Sequence, residues 1–225
     1  MTLPGDLELT DDVPAAFARC LAGAFAGRPG PRCTLVLSGG PTAARCYDRL
    51  AAETAAGTLG VDWSVVDLLV GDERCVPADD PDANQRMLRE TLVERVGPVG
   101  SFHPMSCEAG PAAYETVLHR LAAPDLVHLG LGPDGHTASL FPGSAALEAP
   151  GDRWVVENED PAGRNPHRRM TLTLAGIARA RLVVFTVSGE EKRDAFGRAR
   201  AGEDLPATRV RARRVLWLAD PAAAG

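Results

Sequence analysis

Four stretches of this chain run apolar for several residues and then stop at glycine: CTLVLSGG (33–40), WSVVDLLVG (63–71), DLVHLGLG (125–132) and RLVVFTVSG (181–189). They are continuous rather than alternating, so each reads as a strand covered on both faces. Between them lie helical stretches. Residues 11–27 start with Asp11-Asp12 ahead of Pro14 and carry Phe17, Cys20, Leu21, Ala24 and Phe25 at helical spacing. A second helix runs from Pro41 with Tyr47, Leu50 and Ala51 on one face; others are expected over about Gln85–Val96, 110–122 and from Glu190. Shorter extended segments are expected at 99–105, 153–157 and 168–173, the last entering a short helix at 174–179. RVLWLAD (214–220) reads as a terminal strand, with PAAAG fraying after it. The alternation predicts an α/β fold with a mostly parallel, Rossmann-like sheet and helices on both faces, as one domain over residues 1–225. In such a sheet, chemistry sits in the crevice outside the carboxyl ends of the strands.

Composition narrows the partners. Hydrophobic residues at 45% and charged residues at 24% describe an ordinary globular protein, and the net charge of −6 is scattered. That balance argues against nucleic acid or an anionic membrane surface as partner. No apolar run approaches the length of a membrane span, and the N-terminal MTLPGDLELTDD lacks the basic and apolar regions of a signal peptide. The five cysteines (20, 33, 46, 75 and 107) are widely spaced and never form C-x-x-C, so they read as reduced thiols in a cytoplasmic protein. The histidines show no ligand spacing, and neither a metal nor another cofactor is expected. The number of subunits stays open, a monomer included.

The run at 125–132 breaks into a loop, GLGPDGHTASLFPG, that carries Asp134 and His136. Gly130 to Gly135 spells a G-x-G-x-x-G after a strand. A dinucleotide site also needs a helix to open there, and Pro142-Gly143 leaves no room for a long one. Asp134 would also stand against the phosphates. The loop is better suited to proton transfer, with His136 as a general base near neutral pH.

Five segments are expected together at the carboxyl ends: Ser38–Thr42, Asp72–Arg74, Asp134–His136, Arg169 and Gly189–Lys192. A strand, a glycine turn and a helix opening at Pro41 can cradle phosphate on backbone N–H groups, and without G-K-[ST] a small phosphate ester fits better than a nucleotide. Arg74, Arg169 and Lys192 form a local cationic cluster on an acidic protein. Of the 24 basic residues 23 are arginine, so the lone Lys192 marks a place where a compact ammonium differs from a planar fork. No G-x-S-x-G nucleophile motif is present. The residues alone point to an enzyme acting on a phosphorylated small molecule by proton transfer.

The motifs LSGGPT (37–42), GDERCVP with the trailing Asp82 and Asn84, GLGPDGHTASLFPG (130–143), RMTLT (169–173) and SGEEK (188–192) together resemble the 6-phosphogluconolactonases. That group shares a superfamily with glucosamine-6-phosphate deaminase, and the resemblance runs from Val13 to Leu218. It departs from the usual pattern at Pro41, Ala43, Ala83 and Asn165-Pro166-His167. The resemblance implies hydrolysis of 6-phospho-D-glucono-1,5-lactone, with Gly39, Gly40, Thr42, Arg169 and Lys192 on the phosphate and His136 as the base. Arg74 then serves the ring hydroxyls or the developing oxyanion, Asp134 orients His136 or positions the water, and Asp72 anchors the loop or a hydroxyl. Two other readings stand beside it: a deaminase-like isomerase, against which Phe141 occupies the place of the deaminases' supporting glutamate, and a non-enzymatic sugar-phosphate-binding protein.

Overall fold

The computed structural model describes residues 3–225; Met1 and Thr2, the start of the acidic N-terminal stretch, lie outside the described residues. Its strands are β1 (Asp6–Leu9), β2 (Cys33–Leu37), β3 (Val66–Val70), β4 (Asp72–Arg74), β5 (Ser101–His103), β6 (Leu126–Gly130), β7 (Val155–Asn158), β8 (Arg169–Leu172), β9 (Leu182–Val187) and β10 (Val215–Ala219). Seven of them form one wholly parallel sheet in the order β1-β10-β9-β6-β2-β3-β5. Every residue of β2, β3 and β10 is buried. Successive side chains point to opposite faces, so continuous burial means that both faces are covered.

The helices are α1 (Val13–Ala26), α2 (Pro41–Ala55), α3 (Asn84–Leu88), α4 (Gly110–Arg120), α5 (Leu174–Ala178), α6 (Arg193–Arg200), α7 (Pro206–Arg209) and α8 (Pro221–Ala224). Asp12 caps α1 by accepting from Ala15 N–H at 3.0 Å, as its place before Pro14 suggests. From β2 the chain lays β3 and β5 to one side; β6 then takes the other side, followed by β9 and β10. The neighbours β2 and β6 therefore send their connections in opposite directions, which opens a crevice at their carboxyl ends.

Several expectations are corrected. The strand at 63–71 begins only at Val66, because Asp62 draws Trp63–Val65 into a 3-10 turn by accepting from Ser64 N–H at 3.0 Å. The helix at 85–96 is α3 followed by a π-helical turn, Arg89–Val93. The tail is α8 rather than frayed chain, since Asp220 accepts from Ala223 N–H at 2.8 Å. Asp72–Arg74 is not simply the end of a parallel strand: it is β4, which joins β8 and β7, the expected extended segments at 168–173 and 153–157, in a second, antiparallel sheet. Strand β1 and helix α7 were not anticipated. Finally, Cys75 and Cys107 form a disulfide, their Cα atoms 5.5 Å apart. Cys75 follows β4 and Cys107 follows β5, so folding brings together two residues whose separation of 32 suggested nothing. Cys20, Cys33 and Cys46 are free thiols.

The core holds one ionisable group of note. His128 on β6 is fully buried, stacked on Phe17 with ring centroids 4.0 Å apart. Burial lowers its imidazole to about 3. An unfolded histidine titrates near 6.5, so between about pH 6.5 and 3 the unfolded chain holds a proton that the native state refuses. The native state has its full advantage above that window and loses it as pH falls, by up to roughly 1.4 kcal/mol per pH unit. Denaturant midpoints at pH 7 and pH 4 are expected to differ less in His128→Gln than in wild type; equal differences would contradict a neutral, buried histidine. Thiol titration of the denatured, unreduced protein is expected to count three thiols, and a count of five would remove the disulfide.

Candidate active site

A cleft of about 220 Å³ opens where β2 and β6 part, lined by the glycine turn after β2, the loop after β6, the start of the segment after β9, and side chains from the antiparallel sheet. Of the residues singled out from sequence, His136, Arg74, Asp72, Gly39, Gly40, Thr42, Arg169 and Lys192 all line it; Asp134 stands behind His136.

His136 is aimed by its own loop. Asp134 Oδ1 accepts from the His136 backbone N–H at 3.0 Å and meets His136 Nδ1 at 2.5 Å. Arg164 approaches the other carboxylate oxygen at 3.1 Å. Burial alone would raise the Asp134 carboxyl; the hydrogen bonds from His136 and the charges nearby outweigh it and bring it down to about 2. An ionised Asp134 can only accept, so Nδ1 carries the proton and the neutral ring keeps its lone pair on Nε2. The ring rests beside buried Phe141, centroids 5.0 Å apart, and a Cβ at position 132 would overlap its Nδ1 and Cε1, which requires glycine there. Ala138, also on the cleft, has φ +47°, a left-handed conformation costly for alanine and held by the loop around it.

The antiparallel sheet brings the arginines. In the β4–β8 pairing Arg74 sits directly opposite Arg169, an arrangement of like charges that is unfavourable by itself. Arg169 is almost fully buried; burial and the Arg74 charge both pull its guanidinium below the usual value. Arg74 donates to Asp82 O, while its buried Nε has no hydrogen-bond partner in the protein. A pair of cations held this way suits an anion or an electron-rich oxygen between them.

Glu73, between Asp72 and Arg74, turns away from the cleft. It accepts from Arg74, Asn84 and Gln85 N–H at 2.7–2.8 Å and so anchors the start of α3; burial still pushes its carboxyl up. Asp72 reaches the loop that carries the histidine: its Oδ2 accepts from Ser139 Oγ at 2.7 Å, and Asn158 donates to Ser139 O at 2.7 Å. Ser139 thereby ties the His136 loop to the antiparallel sheet.

The glycine turn opens α2. Gly40 has φ +102° at the N-cap, a conformation that side chains resist, and Pro41 takes the first helical position, where no N–H is needed. Sequence reading missed Arg45, which spans from Thr42 Oγ1 at 3.3 Å to Ser188 Oγ at 3.1 Å and links the turn to the segment after β9. Its spacing of three from Thr42 on a helix was the available signal. It also missed Arg164, on a polar loop whose path only the tertiary structure sets. Among the described residues Lys192 makes no ion pair.

Known proteins resemble this chain in sequence and in fold. Residues 6–217 match the family described as glucosamine-6-phosphate isomerases/6-phosphogluconolactonase. A 6-phosphogluconolactonase of Mycobacterium tuberculosis is 38% identical over 96% of this chain and 94% of its own length. One from Synechocystis is also 38% identical, over 83% of this chain and 81% of its own. The crystal structure of 6-phosphogluconolactonase from Thermotoga maritima superposes with a TM-score of 0.82 at 27% identity, covering 96% of this chain and 99% of the other.

The opposed arginines give a direct expectation. Inorganic phosphate should raise the unfolding temperature of wild type, by about 2.7 kcal/mol of stabilisation at a hundredfold excess over its Kd. Arg169→Gln should lose most of that gain in a thermal scan. Equal protection of the two proteins would mean that the anion does not sit at Arg169.

Proposed function

The chain belongs to the glucosamine-6-phosphate isomerase/6-phosphogluconolactonase family, and within it we propose that this protein is a 6-phosphogluconolactonase, hydrolysing 6-phospho-D-glucono-1,5-lactone to 6-phospho-D-gluconate. The observation that carries the reading is a histidine, oriented by an ionised aspartate, on a cleft that also holds Arg74, Arg169 and Lys192. The family match over residues 6–217 supports treating residues 1–225 as one domain.

In this reading the 6-phosphate lies on the backbone of Gly39 and Gly40, on Thr42, and against Arg169 and Lys192. Fixing that end places the lactone carbonyl by His136, and positioning of this kind supplies much of a rate. His136 Nε2 takes a proton from the water that attacks C1. Asp134 stabilises the imidazolium formed, and general-base catalysis of this type is worth about 10²–10⁴-fold. The Arg74 guanidinium, on the wall of the cleft, donates to the oxygen on which charge develops, a term of a few kcal/mol. As the C1–O5 bond breaks, the imidazolium returns the proton to O5, which leaves as the 5-hydroxyl. Asp72, held by Ser139, accepts from a ring hydroxyl. Phe141 lies buried under His136, where a deaminase would need a carboxylate.

Acid release at constant pH from freshly generated lactone tests this. Wild type should exceed the spontaneous rate, His136→Ala should lose nearly all of the acceleration, and Asp134→Asn should lower kcat by about 10²–10⁴-fold, since an amide can favour the wrong tautomer. Wild type no faster than the blank would reject the assignment, and ammonia release from glucosamine 6-phosphate would then favour the isomerase.

A further inference from the structure

Directly beneath the glycine turn lies a buried polar network that the mechanism leaves without a role. Tyr47 on α2 is fully buried, and its hydroxyl meets three groups: it accepts from Ser38 N–H at 3.1 Å, donates to Ser38 O at 2.9 Å, and lies 2.8 Å from His128 Nδ1. The other ring nitrogen, His128 Nε2, is 2.8 Å from Thr186 Oγ1, and Ser38 Oγ donates to His128 O at 2.7 Å. Phe17 stacks on the imidazole, and Tyr47 meets it edge-on with centroids 5.5 Å apart. Ser38 and Thr186 line the cleft; Tyr47 and His128 do not.

Full burial keeps the His128 imidazole neutral, and with a neutral ring, counting protons gives one arrangement that satisfies every atom. A phenol has one proton and two lone pairs. With its proton on Ser38 O, Tyr47 Oη can accept from both Ser38 N–H and His128 Nδ1–H. His128 Nε2 is then bare and accepts from Thr186 Oγ–H. The network joins β9, β6 and β2, adjacent in the sheet, to the helix whose N-terminus follows the turn. Both backbone groups of Ser38 are gripped by one hydroxyl, which sets the direction in which the chain leaves for Gly39 and Gly40.

We infer that Tyr47 and His128 are positioning residues for the phosphate end of the substrate, holding the Ser38–Gly40 turn in its binding conformation from below. The inference rests on the lactonase reading for the identity of the substrate. It does not rest on it for the binding of phosphate.

Tyr47→Phe keeps the ring and removes only the hydroxyl. Calorimetry with inorganic phosphate should show its Kd rise roughly tenfold, equivalent to about 1.4 kcal/mol. Its KM for the phosphorylated lactone should rise in parallel, with kcat within about twofold of wild type, because His136 and Asp134 are untouched. His128→Asn retains a side-chain donor in place of Nδ1–H and should bind phosphate like wild type; His128→Leu, which has no donor, should behave like Tyr47→Phe. Variants that are less stable but bind phosphate with wild-type Kd and KM would show a purely structural network and overturn the inference. Wild type that fails to bind inorganic phosphate would overturn it as well. If wild type binds phosphate yet does not hydrolyse the lactone, the lactonase reading fails alone, and the phosphate affinities still decide the role of Tyr47 and His128.

Discussion

The site depends on how little of β6 pairs with β2. Their parallel ladder covers only Leu35↔Leu126 and Val36↔Val127, whereas β2 and β3 stay in register over five residues. Beyond Val127 the backbones part, and the His128 carbonyl takes the Ser38 hydroxyl at 2.7 Å. A buried carbonyl must find a donor, so a side chain fills the place of the next ladder bond. That early parting lets the glycine turn and the histidine loop leave in opposite directions with a cleft between them. The walls of the cleft carry charge, while the layer packed behind them holds Phe17, Tyr47, His128 and Phe141, all fully buried.

Charge is arranged against the protein's overall sign. The chain carries −6 in total, yet Arg74, Arg169 and Lys192 converge on one cleft, with Arg74 facing Arg169 across an antiparallel pair. Holding two guanidiniums together is unfavourable by itself. The same sheet also anchors the histidine: Ser139, bonded to Asp72 and Asn158, fixes the loop from which Asp134 aims His136. The cationic cluster and the Asp134–His136 pair therefore share one scaffold.

Much of this was legible in the sequence, for stated reasons. Continuous apolar runs ending in glycine gave the central parallel strands, and adjacency in D-G-H gave the Asp134–His136 pair, because an aspartate two residues away can reach both the histidine backbone and its ring. The second sheet was legible only in part: 153–157 and 168–173 read as extended and are β7 and β8, but their antiparallel pairing with β4, three charged residues, left no local signal. The disulfide and the Arg164 contact were hidden because each joins segments distant in sequence through the path of a loop. His128 was visible only as an apolar-strand residue, since its partners Tyr47 and Thr186 lie on other elements. Local pattern reports what the backbone does; which side chains converge is settled by sheet order.

A crystal structure with 6-phosphogluconate bound tests the central claim most directly. The account places the phosphate on the Gly39–Gly40 turn within hydrogen-bond reach of Arg169 and Lys192, and the C1 carboxylate beside His136 Nε2 and Arg74. A product bound in the opposite sense, with its phosphate at His136, or bound outside this cleft, would contradict it.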